Sequence, residues 1–218
     1  ASPMQDIGAY GVEMKDCFES LDAFELQSGA TKLFDAQQCQ FGYRDSVFKR
    51  HERGRHVILK VRFRLRRDAE LHLDYGELRA ELAQMGIAIP SARDVSGAVC
   101  NIRRRKLPDP AAIGNAGSFF KNPIVPDALA DSLMQAYPTM PRYAATPGCS
   151  KLAAGWLIEQ TGWKGKRLGN AGVHAQHALV LVNHGGASGA EILSLARAVQ
   201  QAVRARFGID LEPEPVII

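Results

Sequence analysis

Four short segments of this 218-residue chain combine glycines with polar or ionisable side chains, which are the residue types that could bind a ligand or act on one. They are QDIGAYG at 5–11, FGYRDS at 41–46, GNAGSFFKNP at 114–123 and LEPE at 211–214. Glycine permits positive φ and lets backbone amides approach a ligand closely. Arg44 offers a planar fork of donors that suits a carboxylate or a phosphate. Recognition of an oxygen-rich anion is one chemistry that these residues favour.

Each segment also has a purely structural interpretation. The first is equally well explained as a tight turn before a strand. In the second, Arg44 and Asp45 commonly form a surface ion pair in such a setting. The last is typical of a charged, exposed tail. The third holds two glycines, two asparagines, a hydroxyl and an ammonium within ten residues. That exceeds what a turn requires, so a ligand-binding loop is favoured there, with Phe119 and Phe120 anchoring it to the core.

Composition and cysteine spacing exclude several classes of protein. Hydrophobic residues make up 46% of the chain and charged residues 23%, which is typical of a globular protein with one large or two small domains and excludes a disordered or collagen-like chain. No apolar run is long enough to span a bilayer. The four cysteines are widely spaced, without a CxxC pair or neighbouring histidines, so we expect no metal site and reduced, buried or inert thiols.

The positive charge is concentrated in two places. The net charge is +4, and residues 49–67 hold nine Lys or Arg against the single acid Glu52, while residues 103–106 form a second basic run. Such a run fits a nucleic-acid surface, a groove for a small anion or the solvated face of a strand. Because aromatic residues that could stack on bases are sparse among them, the solvated face is the favoured interpretation.

Hydrophobic periodicity predicts a β-rich first half. Residues 18–27 read as a strand and turn, and residues 57–66 alternate with period two, which places Val57, Leu59, Val61, Phe63 and Leu65 inward and the arginines outward. From Asp94 the period becomes helical, with Asp94 as the N-cap and an end before Leu107, because Pro108 follows. We expect a domain crossing at the prolines of 108–110.

The second half is predicted to be helical with one clear strand. Ser150 is expected to cap a helix over 151–160, and 178–183 reads as a strand. Ser188 and Glu191 form a capping box for a helix that ends before Gly208. The fold class that follows is α+β.

The four segments, in this order and together with KLPDP at 106–110, resemble the UDP-N-acetylenolpyruvoylglucosamine reductase family over the whole chain. The closer resemblance is to its first subclass, which has a tyrosine loop. It implies that residues 1–107 form the C-terminal part of a β-rich FAD-binding α+β domain, with the tail 208–218 returning to it. Residues 108–207 would form a smaller α+β substrate-binding domain.

The activity that the resemblance implies is that of a cytoplasmic, monomeric flavoenzyme of peptidoglycan synthesis. Its cofactors are FAD and NADPH, and it reduces the enolpyruvyl group of UDP-N-acetylglucosamine enolpyruvate to UDP-N-acetylmuramate. Its partners are the UDP-sugar and NADPH, with no nucleic acid, membrane insertion or metal. A non-catalytic module that binds a UDP-sugar or an anion is the alternative from another functional class.

The resemblance also carries residue roles onto matching positions. Ser118 matches the proton donor, and Arg44 and Glu214 match the partners that polarise the substrate carboxylate. The positions that match substrate contacts are Tyr43, Tyr75, Lys106 and Asn122. The positions that match the flavin loop are Ser2, Gln5, Ile7, Gly8, Ala9 and Gly11.

Three departures from the family pattern bear on these roles. Asp6 stands where the flavin loop is expected to have Asn, which alters a hydrogen bond near the cofactor. Pro215 follows Glu214 and removes a backbone donor. The N-terminal lobe that builds much of the family's FAD site has no counterpart in these 218 residues. We therefore expect the isolated chain to bind FAD poorly and to turn over little.

Overall fold

The computed structural model describes residues 2–217, and the chain divides into two compact units, Ala1–Ile102 and Arg103–Ile218. Both units mix strands and helices, which confirms the predicted α+β class. The elements are β1 (Gly8–Ala9), β2 (Val12–Glu13), β3 (Phe18–Glu25), β4 (Thr31–Asp35), α1 (Ala36–Cys39), β5 (His56–Phe63), α2 (Leu78–Gln84), α3 (Ala92–Lys106), β6 (Gly114–Ser118), β7 (Ile124–Pro126), α4 (Asp127–Ala136), β8 (Arg142–Ala144), β9 (Cys149–Leu152), α5 (Ala154–Gln160), β10 (Arg167–Leu168), β11 (Ala171–Val173), β12 (Val180–Asn183) and α6 (Gly189–Phe207).

The first unit contains an antiparallel sheet in the order β4, β3, β5. Side chains of β3 alternate between the core and the outer face with the period of two that a strand imposes, so Leu21 and Ala23 are fully buried. The predicted strand and turn at the start of the chain are confirmed, and Gly29 at the turn has φ of +72°. The core beneath the sheet consists of Met14, Phe18, Leu21, Ala23, Cys39, Val47 and Phe48.

Strand β5 confirms the predicted element but not the predicted inward face. Its register against β3 shifts between the pairs Asp22–Lys60 and Ala23–Ile58, so one residue of β5 is unpaired there. A bulge of this kind exchanges the two faces of a strand. Ile58 and Val61 therefore pack against the core. The predicted inward positions that are instead exposed are Val57, Leu59, Phe63 and Leu65.

Several cations of the basic segment at 49–67 form ion pairs with acids, namely Arg50, Arg55, Arg62 and Arg64. Arg62 forms a two-pronged hydrogen bond with Asp22 across β3 and β5, at 2.8 and 2.9 Å. Arg64 contacts Glu19 at 3.0 Å in the same way. These pairs fit the interpretation of a solvated strand face, because the positive charge is neutralised locally by neighbouring strands.

Helices α2 and α3 form a second small core in the first unit, from Leu78, Leu82, Ala98 and Ile102. The α3 helix begins earlier than predicted, at Ala92. Ser91 and Asp94 form a reciprocal pair, because the Ser91 hydroxyl accepts from the Asp94 amide while the Asp94 carboxylate accepts from the Ser91 amide. Asp94 is thus the third residue of a capping box and not the N-cap. The predicted end before Leu107 is confirmed.

The second unit holds two antiparallel sheets, in the orders β10-β11-β12-β6 and β7-β9-β8. Helix α6 contributes the buried residues Leu195, Val199 and Val203 to their shared core, at the helical spacing that the sequence predicted. Its predicted ends are confirmed as well. Ser188 caps the first turn and Gly208 closes the last with φ of +68°.

The start of α5 differs from its prediction. Cys149–Leu152 is a strand, and the helix expected from 151 begins at Ala154. The two compact units divide between Ile102 and Arg103, inside α3, and the sequence placed a domain boundary after residue 107. Within the second unit, Ile209 and Leu211 of the tail join the core. The return of residues 208–218 to the first domain stays a prediction.

Residues 2–217 include all four cysteines and six histidines of the chain. The four cysteines are free thiols, of which Cys39 is buried and Cys100 is exposed, so burial does not account for the expected inertness of Cys100. No group of three or more His, Cys, Asp or Glu in this range could hold a metal ion. None of the helices in the same range is long and apolar enough to cross a bilayer.

Candidate functional site

The predicted flavin-loop residues lie together on a turn and a short hairpin at the start of the first unit. Strands β1 and β2 pair as Gly8–Glu13 and Ala9–Val12, and Tyr10 and Gly11 between them have φ of +55° and +80°. Positive φ at both central residues is the requirement of the tight turns that suit hairpins. Ile7, Ala9 and Gly11 are exposed along one stretch of this loop, while Ser2 and Gln5 are partly buried before it. The structural and the ligand-binding interpretations of this segment are therefore compatible.

Asp6, the residue that departs from the family pattern, is fully buried beneath the hairpin. Its Oδ1 accepts from the Lys15 amide at 2.8 Å, and its Oδ2 lies 3.4 Å from the Lys15 ammonium. Burial raises the pKa of the Asp6 carboxyl, and the contacts with Lys15 oppose that shift without cancelling it. Lys15, which also pairs with Glu13, is thus the local partner that makes an acid tolerable at this position.

Arg44, the predicted carboxylate partner, is bound to the hairpin. Its Nη2 donates to the Gly8 carbonyl at 2.7 Å and its Nη1 to the Asp6 carbonyl at 3.1 Å. Its guanidinium carbon lies 5.2 Å from the centre of the Tyr43 ring, within cation–π range. Asp45, which the sequence offered as a partner of Arg44, lies 3.2 Å from Arg50 instead. The structure thereby groups two predicted substrate residues, Arg44 and Tyr43, with the predicted flavin loop.

Tyr75, the predicted closing tyrosine, also lies beside this hairpin. Its ring is half exposed and meets the Tyr10 ring edge-on, with centroids 5.6 Å apart. A cavity of about 220 Å³ next to the hairpin is lined by Ala9, Tyr10 and Val12, together with residues of 70–72, α2 and α3. Pockets for small molecules usually measure about 300–1,000 Å³. This cavity is smaller than that range, and the predicted flavin-loop residue Ala9 is part of its lining.

In the second unit, Ser118 ends strand β6 directly after a glycine bulge. Ser118 pairs with Val180, but the register then shifts, because Gly117 adopts φ of +74°. The Asn115 side chain supports the bulge by accepting from the Gly117 amide at 3.0 Å and donating to the Ile113 carbonyl at 2.9 Å. Bulges commonly re-aim a side chain next to a site. The glycine and asparagine of this segment thus set the direction in which the partly buried Ser118 points.

The Glu214 backbone is hydrogen-bonded to Phe119, the residue that follows Ser118 in the sequence. Its amide donates to the Phe119 carbonyl at 2.8 Å, and Pro213 forms a β-bridge with Phe120. Ser118 and Glu214 are thus brought to neighbouring backbone positions of the second unit. Arg44 belongs to the first unit.

Lys106 and Asn122, the remaining predicted substrate residues, have different settings. Lys106 is exposed at the end of α3. Asn122 is partly buried, and its Oδ1 accepts from the Ala154 amide at 3.0 Å, at the start of α5. Asn122 therefore has a structural role in addition to any contact with a ligand.

Two further residues of the second unit are notable: His177, which the sequence did not point to, and Lys121, whose pairing it did not predict. The pKa of His177 is lowered, first by burial and then by the positive charges of His174 and Lys106. Its buried Nδ1 has no hydrogen-bond partner within residues 2–217. The closely spaced histidines at 174, 177 and 184 are the feature of the sequence that could have pointed to His177. Lys121 forms an ion pair with Glu212, and only its place inside the third segment pointed to it.

Comparison with known proteins decides the family. The model of the family described as UDP-N-acetylenolpyruvoylglucosamine reductase, C-terminal domain, matches residues 109–218. The chain belongs to this family. It is 60% identical over 215 residues to the UDP-N-acetylenolpyruvoylglucosamine reductase of Pseudomonas aeruginosa and 57% identical over 218 residues to that of Azoarcus sp.. The predicted resemblance is thereby confirmed.

The matches cover nearly all of this chain but only part of the relatives. The alignments span 99% of the chain and 63% of the Pseudomonas protein, and 100% of the chain and 62% of the Azoarcus protein. The crystal structure of UDP-N-acetylenolpyruvylglucosamine reductase from Thermus caldophilus superposes with a TM-score of 0.60 at 24% identity, over 98% of this chain and 57% of that one. This likeness supports the mixed α+β fold of the family.

Proposed function

We propose that this chain forms part of an FAD- and NADPH-dependent reductase that converts the enolpyruvyl group of UDP-N-acetylglucosamine enolpyruvate to UDP-N-acetylmuramate, in peptidoglycan synthesis. One observation carries the proposal. Ser118 and Glu214, which match the family's proton donor and carboxylate partner, lie at neighbouring backbone positions although 96 residues of sequence separate them.

The residues of the hairpin fit part of a flavin site. Ile7, Ala9 and Gly11 are exposed on the hairpin. Arg44 holds the hairpin by a hydrogen bond to the Gly8 carbonyl. When bound, FAD would supply two-electron transfer between NADPH and the double bond of the sugar. The residues that would hold it are Ser2, Gln5, Ile7, Gly8, Ala9 and Gly11.

Ser118 would donate the proton that completes the reduction. Hydride addition to the β-carbon leaves negative charge on the enolate, and the α-carbon then needs a proton. A serine hydroxyl is a very weak acid, so it serves only when it is positioned against a strongly basic carbon. The Gly117 bulge and the Asn115 side chain supply that positioning.

Arg44 and Glu214 would act on the carboxyl group of the substrate. A guanidinium beside the carboxylate stabilises negative charge that grows in the transition state. Glu214 would hydrogen-bond the enolic carboxyl or a water beside it. The cationic Lys106 would face the diphosphate, and Tyr43, Tyr75 and Asn122 would contact the rest of the UDP-sugar.

We expect the isolated chain to bind FAD weakly, since the residues that would hold it lie on one short hairpin and the turn before it. The four free thiols support a cytoplasmic setting, and we propose a monomer. Titration of the purified chain with FAD, followed by flavin fluorescence, tests the affinity. Stoichiometric FAD binding together with NADPH oxidation that depends on the enolpyruvyl sugar would contradict this expectation for the isolated chain.

The proton-donor role is tested in a complete reductase containing this chain. Ser118→Ala should leave the reduction of flavin by NADPH unchanged and slow its reoxidation by the enolpyruvyl sugar by about 10²-fold or more. Stopped-flow absorbance separates the two half-reactions. Ser132→Ala, at an exposed serine of α4, is the matched control and should change neither. A normal second half-reaction in Ser118→Ala would refute the role.

The same substrate distinguishes the reductase from a non-catalytic module. Titration with UDP-N-acetylglucosamine and with its enolpyruvyl derivative should show preference for the derivative, since Arg44 and Glu214 recognise its carboxyl group. Equal affinity for the two sugars would favour a module that binds UDP-sugars or anions.

A further inference from the structure

The tail of the second unit, residues 209–215, crosses the end of the Ser118 segment and is called the strap below. Ile209 and Leu211 are buried in the core, and the Gln200 side chain donates to the Leu211 carbonyl at 2.7 Å. These contacts fix where the strap begins. They do not reach its far end, where Glu214 lies.

Backbone contacts at that far end join the strap to residues 119–121. The Lys121 amide donates to the Glu212 carbonyl at 2.9 Å, and the Glu214 amide donates to the Phe119 carbonyl at 2.8 Å. Pro213 and Pro215 on either side of Glu214 have no N–H group to donate. Because a one-residue slip of an extended segment turns every side chain to the other face, the register of this pairing decides in which direction the Glu214 carboxyl points.

An ion pair reinforces the register. The Lys121 ammonium contacts the Glu212 carboxylate, with the Lys121 side chain only 11% exposed and the Glu212 side chain 70% exposed. The Lys121 side chain is thus largely shielded from solvent and that of Glu212 is not, so this pair is less solvated than one between two exposed side chains. Lys121 and Glu212 are therefore joined twice, by this ion pair and by the hydrogen bond between their backbones.

We propose that Lys121 is a positioning residue of the reductase. By holding Glu212, it fixes the register of the strap, and this keeps Glu214 beside Ser118. Lys121 acts through Glu212 and does not contact the reacting atoms. The inference rests on the roles proposed above for Ser118 and Glu214.

Amide hydrogen exchange in this 218-residue chain tests the contact without any cofactor. Glu212→Gln removes the charge and keeps the shape of the side chain, and the Glu214 amide should then exchange about tenfold faster by local opening. Amides of β11 and β12 should be unaffected. Glu159→Gln is the matched control, because it breaks the Lys164–Glu159 pair at 2.9 Å elsewhere in the same unit. An unchanged Glu214 amide in Glu212→Gln would overturn the proposal.

Half-reaction kinetics in a complete reductase containing this chain test the consequence. Glu212→Gln should slow flavin reoxidation by the enolpyruvyl sugar about tenfold, leave flavin reduction by NADPH unchanged, and be rescued largely by Glu212→Asp, which restores the carboxylate. Reoxidation at the normal rate in Glu212→Gln, with Ser118→Ala severely impaired, would overturn the positioning role alone. If Ser118→Ala also reoxidises normally, the proposed function fails instead, and the exchange experiment still decides whether Lys121 holds the strap.

Discussion

The Arg44 guanidinium donates a hydrogen bond to the Gly8 carbonyl, with Nη2 2.7 Å from the oxygen. A second hydrogen bond, from Nη1 to the Asp6 carbonyl, makes this side chain a brace for the hairpin. Arg44 itself adopts φ of +54°, which non-glycine residues rarely do, so the surrounding contacts hold it in a costly conformation. The residue that matches the substrate-carboxylate partner therefore also fixes the backbone of the predicted flavin loop.

Arg44→Lys should loosen the hairpin even though the charge is kept. An ammonium is a point donor and cannot bridge two carbonyls as the guanidinium fork does. Loss of a charged hydrogen bond costs about 1.5–3 kcal/mol. Urea unfolding of the isolated chain measures the loss, and hydrogen exchange at the amides of 7–14 localises it. Arg79→Lys, at the exposed pair with Asp74, should cost far less, and equal losses in the two variants would contradict the bracing role.

Asp6→Asn should remove a loss of folding stability that sets in when the Asp6 carboxyl ionises. Burial raises the pKa of Asp6 above its ordinary value of 3.8, so the folded state binds this proton more tightly than the unfolded state does. The stabilising contribution of Asp6 is then complete below pH 3.8 and is lost as pH rises through the raised pKa. The Asn variant should gain stability relative to the parent chain over that rise. Urea unfolding at several pH values checks this, and a difference independent of pH would contradict it.

The elements that the sequence predicted well are those whose signals are local. Ser188 caps the start of α6, Gly208 ends it with a positive φ, and both predicted ends are confirmed. The predicted inward face of β5 was wrong because a bulge opposite β3 exchanges the two faces of the strand. The position of that bulge depends on the register with β3, which the sequence of β5 does not contain. The start of α5 failed for a similar reason, because β9 pairs with β7 and β8, which lie upstream in the chain. Pairing partners are not encoded in the segment itself.

For the candidate site, motif resemblance found residues that local physics alone could not have assigned. Ser118 and Glu214 were identified by their motifs, whereas the packing of the strap through Ile209 and Leu211 depends on a core that distant segments build. The Arg44 brace was not predicted either, since its partners are backbone carbonyls. Every residue type has such a carbonyl, so no side-chain pattern indicates the contact.

Gly117→Ala should destabilise the second unit by backbone strain. The glycine has φ of +74°, and a Cβ built there meets no atom within 4 Å, so a steric clash makes no contribution. The left-handed conformation costs other residues roughly 1–2 kcal/mol. Urea unfolding measures the loss. Gly189→Ala, at the first residue of α6 with equally open space, should be neutral or slightly stabilising. Equal effects of the two substitutions would show that the bulge does not require glycine.

The four thiols should differ widely in alkylation rate. Cys39 is fully buried, and burial raises the pKa of its thiol to about 12, so almost no thiolate forms at neutral pH. Cys100 is exposed on α3. Iodoacetamide labelling followed by mass spectrometry should modify Cys100 first and Cys39 only on unfolding. Cys100→Ser should remove the fast phase. Early labelling of Cys39 in the folded chain would contradict the burial of this residue.

Acid should destabilise the first unit through Glu25. Hydrogen bonds from Lys32 and Ser28 lower the pKa of this carboxyl from 4.5 to about 2. The folded state therefore binds fewer protons than the unfolded state between these values, and the stabilisation, complete above pH 4.5, is lost as pH falls towards 2. Glu25→Gln should be less stable than the parent chain at pH 7 and should lose less stability between pH 4.5 and 2.

Thermal unfolding across this pH range measures the difference between Glu25→Gln and the parent chain. Glu19→Gln is the matched control on the same strand, because its partner Arg64 is mostly exposed and its ion pair is well solvated. The control should retain nearly the full acid sensitivity of the parent chain. If Glu25→Gln also retains it, Lys32 and Ser28 do not hold the Glu25 carboxylate in the folded state, and the acid sensitivity arises from the other carboxyl groups.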